Sequence, residues 1–382
     1  MKNDRIWLSS PHIGNNELKY VNEAFETNWI APLGPNVNAF EDELKIYTAS
    51  NHITVLASGT SAIHLALILL EVKRGDTVFC QSITFSASAN PIIYQGAEPV
   101  FIDSEENTWN MDPVLLKQAL REAKENGKLP KAIIPVHLYG MPAKMNEIQA
   151  IANEYKIPVI EDAAEALGSS IYTKPCGSFG KFGVLSFNGN KIITTSAGGA
   201  LLSEDGELIE KARFLATQAR DNAPHYEHSH IGYNYRMSNV LAGIGRGQLE
   251  VLNDRVNARR NNFYRYKHFF SKYNEEGFNI KFQEEPEGYF SNRWLSCILI
   301  NPSENNGISR ELIRLTMEKN NIESRPLWKP MHKQPVFSDA KRYINGVSDM
   351  LFEYGLCLPS GSNLTDESFD RIFETLDQFF KK

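Results

Sequence analysis

Long apolar runs, paired cysteines and blocks of one charge sign are missing from this sequence. No stretch of about 18 apolar residues occurs, so no membrane-crossing helix is expected. The start, Met1-Lys2-Asn3-Asp4-Arg5, has charges without an apolar run behind them, so no export leader is expected and the protein reads as cytoplasmic. The four cysteines, Cys80, Cys176, Cys297 and Cys357, lie far apart with no C-x-x-C pair, which argues for reduced thiols over a disulfide scaffold. The net charge is −6 and no Lys/Arg block could track a phosphate backbone, so nucleic acid is not an expected partner. A small polyanion would have to be held by a few local cations and backbone amides. No internal repeat or low-complexity linker interrupts the chain.

What is present is an ordinary globular composition, 42% hydrophobic and 23% charged over 382 residues, long enough for one large domain and one smaller one. Residues 15 to 28 place Leu18, Val21 and Phe25 on one helical face, and Val37, Phe40, Leu44 and Tyr47 repeat the pattern. Short apolar runs then alternate with helical patterns. Residues 53–57, 77–80, 99–103, 132–138, 158–162 and 183–187 are the strand candidates, and the alternation predicts an α/β fold with a mostly parallel central sheet. Residues 237–270 carry one long helical pattern through Val240, Ile244, Leu249, Leu252 and Val256, followed by a strand-like run at 294–300 and two more helices. The expected division is a large α/β domain over 1–250, N-terminal helices included, and a smaller C-terminal α+β domain over 251–382.

In parallel sheets ligands sit beyond the carboxyl ends of the strands, so polar residues just after the runs are the ones to question. Asn188-Gly189-Asn190-Lys191 follows one such run, and a lysine there can form an imine with an aldehyde cofactor; a lone loop lysine is otherwise simply solvated. Glu161-Asp162-Ala163-Ala164 ends another. A carboxylate there can keep a pyridine nitrogen protonated so that the ring drains electrons from a neighbouring carbanion, although an acidic helix cap has the same appearance. Ser58-Gly59-Thr60-Ser61 turns a strand into a helix, giving a phosphate cradle or an ordinary N-cap, and Ser186 can add a phosphate contact. Phe85 stands where an aromatic lid over a cofactor ring belongs, and also where a core aromatic belongs. Asn234, Tyr235 and Arg236 precede the long helix and can reach a neighbouring subunit's site or merely cap the helix. His225, His228 and His230 are spaced for a metal ion but lack a cysteine or a fourth well-spaced ligand, so a mobile polar loop near the substrate is expected and no metal.

Taken together and in this order, these segments resemble the DegT/StrS family of sugar aminotransferases, which has the type I pyridoxal-phosphate (PLP), or aspartate aminotransferase, fold. The likeness runs from Ser9-Ser10-Pro11-His12-Ile13-Gly14 to Arg325-Pro326-Leu327-Trp328-Lys329-Pro330-Met331-His332, nearly the whole chain. Within the family it is nearest to the bacillosamine-pathway 4-aminotransferases, through Glu161-Asp162-Ala163-Ala164-Glu165-Ala166-Leu167-Gly168, Ser186-Phe187-Asn188-Gly189-Asn190-Lys191 and His225-Tyr226-Glu227-His228. Glu165 and Asn188 depart from the wider family, where glutamine or histidine and histidine are common, and match this subgroup.

The resemblance implies that Lys191 binds the cofactor covalently, that Asp162 meets the ring nitrogen and that Phe85 or its neighbours stack on the ring. It implies phosphate contacts from the Gly59 turn through Thr60 and Ser61, and from Ser186, with Glu165 near the cofactor's phenolate oxygen and Asn234 supplied by the partner of a homodimer with shared sites. The implied reaction takes the amino group of L-glutamate, leaving 2-oxoglutarate, through pyridoxamine phosphate to C4 of a UDP-linked 4-keto-6-deoxy-N-acetylglucosamine, for surface-glycan or bacillosamine-type synthesis. The nucleotide-sugar is expected to meet the segment containing Asn28, Ile30 and Leu33, then Arg220 or the His225 loop, with Arg236, Arg325 and His332, because diphosphate favours guanidinium forks. Amination at C3, a dehydratase and a non-catalytic regulator on the same fold are the competing readings. Dehydratase relatives carry histidine in place of the lysine that is present here.

Overall fold

A computed structural model describes residues 4–381. Met1, Lys2 and Asn3, which belong to the charged start on which the expectation of no leader rests, lie outside the described residues.

The centre is one sheet. Its strands lie in the spatial order His52–Leu56, Gly199–Ser203, Phe182–Ser186, Ile160–Asp162, Ala132–Ile134, Thr77–Gln81, Glu98–Ile102 and Lys341–Tyr343. The two halves join through parallel bridges from Ile133 to Val159 and from Val136 to Asp162. All neighbours are parallel except Gly199–Ser203, which opposes both of the strands it touches. Thr77–Gln81 is buried along its whole length, the signature of a strand with both faces covered. The covering helices are sequence-encoded. Gly59–Leu69 is apolar nearly all round and buried, whereas Pro113–Glu125 starts with proline under an Asp112 side-chain cap to the Val114 N–H at 2.8 Å.

A second, antiparallel sheet of Ile280–Phe282, Ser296–Ile300, Gly355–Leu358 and Arg325–Pro326 forms the smaller unit. Its core packs Tyr266, Phe270 and Ile298 against Phe369 and Leu376. The long helical pattern is two helices, Asn239–Glu250 and Leu252–Glu275, broken at Val251. Two segments cross the expected division. Ile6 bridges Ile322 and packs in the smaller core, while Lys341–Tyr343 extends the large sheet and Met331 and Phe337 sit in the large core.

The first helix, Glu17–Glu26, turns its large apolar residues outward. Its buried residues are Glu17 and Ala24, and Leu18 and Phe25 are 71% and 58% exposed. The cause is polar: Glu17 accepts from the Gly14 N–H at 2.6 Å and from Gln248, which turns the apolar stripe outward.

Candidate active site

The carboxyl edge of the large sheet opens into a cavity of about 670 Å³ whose wall includes Gly59, Thr60, Phe85, Asp162, Glu165, Ser186, Asn188 and Lys191. Residues distant in sequence meet there because parallel strands all end on one edge. Ser58 caps the helix Gly59–Leu69, its Oγ accepting from the Ser61 N–H at 3.0 Å, and the two hydroxyls lie 2.8 Å apart. Ser61 itself is buried behind the wall. The backbones are tight here: a Cβ on Gly59 would stand 3.2 Å from Ser186 Cβ, and one on Gly199 would strike the Gly59 nitrogen. Helix start, hydroxyls and close backbone make a cradle with the geometry and polarity a phosphate needs.

Asp162 ends its strand with a nearly buried carboxylate, 5% exposed. Its oxygens accept from Ser88 Oγ at 2.5 Å and from the Ala164 N–H at 3.2 Å, and Ser88 in turn meets Thr84 Oγ1 at 2.7 Å. Among the described residues no cation pairs with it. A buried anion without a cation is costly, so a protonated ring nitrogen fits where Asp162 faces the cavity.

Lys191 lies on the loop between Phe182–Ser186 and Gly199–Ser203. Its Nζ is 3.2 Å from Glu165 Oε1 and 4.3 Å above the Trp294 ring. The other Glu165 oxygen accepts from the Tyr139 N–H at 2.7 Å. Burial pushes Glu165 up to about 6 from an ordinary 4.5, against the pull of Lys191 and the Tyr139 amide. The repulsion expected between this carboxylate and a phenolate is thereby reduced.

The expected substrate contacts divide. Arg325 lines the cavity, largely exposed, its guanidinium on Glu323 Oε1 at 2.7 and 2.9 Å. Asn28, Ile30 and Leu33 lie exposed after the first helix, outside the cavity wall, as do Arg220, stacked on Tyr226, and His225, on Glu227 at 2.8 Å. His228 meets the Gln218 carbonyl and His230 meets Ser229. Asn234 is exposed and is not among the residues that line the cavity of its own chain. Arg236 and His332 are also outside the cavity wall. Arg236 is spent on Glu41 at 2.6 Å, Thr54 Oγ1 and the Val55 carbonyl, tying a helix to the first strand, while His332 bridges Ser82 at 2.7 Å and Asp349 at 3.0 Å. Both ring nitrogens of His332 are bonded inside the fold, and one Arg236 nitrogen, Nη1, makes all three of that side chain's contacts. The sequence reading missed Trp294, Trp328, Ser88 and Glu323; a tryptophan just before a strand and one inside Arg325-Pro326-Leu327-Trp328 were the available signals.

A loop lysine and a carboxylate without a cation in the wall of one cavity, at the carboxyl edge of a mostly parallel sheet, define a pyridoxal-phosphate enzyme of the type I fold. The chain belongs to the DegT/DnrJ/EryC1/StrS aminotransferase family, whose description its residues 11–377 match. It is 53% identical to EpsN of Bacillus subtilis (strain 168), named as a pyridoxal phosphate-dependent aminotransferase, over 98% of this chain and 96% of that protein. It is 34% identical to the GDP-perosamine synthase of Escherichia coli O157:H7 over 98% of each. Among solved structures, the sugar aminotransferase Spr1654 of Streptococcus pneumoniae in its PLP form superposes with a TM-score of 0.89 at 27% identity, covering 99% of both chains; the same protein is known in a PMP form. The cofactor is therefore pyridoxal phosphate, and the activity is amino transfer to a sugar. Among the described residues no helix is long and apolar enough to cross a membrane.

Proposed function

We propose that the chain transfers the amino group of L-glutamate to C4 of a nucleotide-linked 4-keto-6-deoxy sugar, with UDP-linked 4-keto-6-deoxy-N-acetylglucosamine as the first candidate. The observation that carries the assignment of roles is Asp162, a buried carboxylate without a cation in the same cavity wall as Lys191. Bound, pyridoxal phosphate supplies an aldehyde that captures amines and a ring that withdraws electrons. In this reading Asp162 holds a proton on the ring nitrogen, oriented by Ser88. Thr60, Ser186 and the amides of the Gly59 turn hold the phosphate. Lys191 anchors the cofactor and, when freed, moves a proton between the substrate carbon and the cofactor carbon, so one amine is nucleophile and general acid-base in turn. Arg325, at the mouth of the cavity, meets the diphosphate or a donor carboxylate.

A homodimer belongs to this reading. Leu18, Phe25, Trp29, Ile30 and Leu33 are exposed along one stretch of chain, and apolar clusters of that kind mark a contact surface. Asn234, outside the cavity of its own chain, then enters the partner's. The 34% likeness to a GDP-perosamine synthase favours a second reading for the carrier, GDP in place of UDP.

Purified protein treated with borohydride should carry reduced cofactor on the Lys191 peptide, and Lys191→Ala should abolish turnover. The keto-sugar that consumes L-glutamate fastest, among UDP- and GDP-linked 4-keto and 3-keto candidates, fixes carrier and carbon. An unlabelled Lys191, or unchanged turnover after its replacement, overturns the assignment.

A further inference from the structure

The turn that carries Lys191 closes largely on itself: the Lys191 N–H donates to the Asn188 carbonyl at 3.0 Å, and the Asn188 and Asn190 side chains meet at 3.4 Å. A turn of this kind needs outside anchors if its lysine is to point reproducibly. Two donors converge on one of its carbonyls. The Trp294 indole N–H and the Ser9 hydroxyl each donate to the Asn190 oxygen at 2.7 Å. The face of the same indole lies under the Lys191 Nζ, 4.3 Å from the ring centroid. Beneath them Arg259, buried and without a carboxylate partner among the described residues, donates to the Trp294 carbonyl at 2.7 Å and to Ser9 Oγ at 3.0 Å. Both grips on the turn are thus held from behind by one rigid, many-donor side chain.

We infer that Trp294 is a positioning residue for Lys191, fixing the lysine's peptide through the indole edge and berthing its free ammonium on the indole face. The inference rests on the proposed role of Lys191 and deepens it. A lysine stem has four rotatable bonds, and each attachment to the cofactor or release from it would otherwise order them afresh. Clamping the peptide at one end and berthing the ammonium at the other keeps the amine within reach of the same point. The π face and the Glu165 carboxylate 3.2 Å away make a site that suits a cation and lies within the cofactor cavity.

The test adds pyridoxal phosphate to apoprotein and follows covalent attachment at Lys191 by rapid borohydride quenching. Trp294→Phe, which keeps a ring and removes the donor, should slow attachment about fivefold, and Trp294→Leu, which removes both, should slow it about fivefold again. Ser9→Ala, which removes the second donor only, should slow it about threefold. In a Lys191→Ala background, Trp294→Phe should leave the noncovalent affinity for pyridoxal phosphate unchanged, because the ring acts through the lysine. Wild-type attachment rates in both Trp294→Phe and Ser9→Ala would overturn the inference, as would an equal loss of noncovalent affinity, which would make Trp294 a direct contact of the cofactor itself. Those two variants decide the matter even if Trp294→Leu does not fold. Failure of the parent reading has its own sign, an unlabelled Lys191 in the wild type.

Discussion

Glu165 is the carboxylate in contact with Lys191, and its burial makes it sensitive to pH. Its folded value of about 6 lies above the ordinary 4.5, so the fold favours the protonated form. The stability this group contributes is complete below about 4.5 and is lost as pH rises through about 6. Glu165→Gln removes that loss. Denaturant unfolding of apoprotein at pH 8 should show the variant more stable by at most about 2 kcal/mol, the attraction of Lys191 being already contained in the raised value, with no difference of that sign at pH 4. The same titration should appear in turnover. The wild type should lose kcat/KM below a midpoint near pH 6, as the charge beside Lys191 disappears, and Glu165→Gln should lack that limb. An acid limb of unchanged midpoint in the variant would assign it to another group.

Strand ends position the site, and the segments that secure them account for most of what is conformationally specific here. Asp103, fully buried at the end of Glu98–Ile102, accepts four backbone N–H groups, from Ser104 at 2.8 Å, Asn345 at 3.0 Å, Gly346 at 2.9 Å and Ser348 at 3.0 Å. It thereby pins the return of the chain from the large sheet to the smaller unit. Asp103→Ala strands those donors and should cost about 3 kcal/mol or more in urea unfolding, while the apoprotein that remains folded still labels at Lys191. Contacts of this type explain what the sequence could and could not disclose. Lys191, Asp162 and the Gly59 turn were legible because each directly follows an apolar run, and a parallel sheet gathers such positions at one edge. Trp294 and Trp328 were not, because they reach the cavity from other elements, nor was Ser88, which meets Asp162 from inside the fold; all three read locally as core or cap residues. The strand Gly199–Ser203 escaped because three of the five residues in its Gly-Ala-Leu-Leu-Ser run are small. The partners of Arg236 and His332, Glu41 for one and Ser82 and Asp349 for the other, were not legible, because a polar residue beside a loop carries no local sign of a partner distant in sequence.

At the scale of the whole molecule the outward-turned stripe of the first helix and the position of Asn234 bear on one question, whether a single chain holds a complete site. If it does, Leu18→Glu with Phe25→Glu should leave turnover intact. If two copies share each site, that pair of changes should give monomers by light scattering, with weak cofactor retention, because charge on a buried apolar contact is expensive. Complementation separates a shared site from a merely stabilising contact. Lys191→Ala lacks the amine, and Asn234→Asp sets a like charge against the phosphate, so each alone should be nearly inactive. In a hybrid of the two, one site pairs an intact Lys191 with an intact Asn234 from the other chain, and the second site carries both defects. Unfolding and refolding an equal mixture makes hybrids half of all dimers, so about a quarter of wild-type activity should return. Recovery of that size requires Asn234 to act across the interface. A mixture no more active than its components would instead assign Asn234 to its own chain's site or to none.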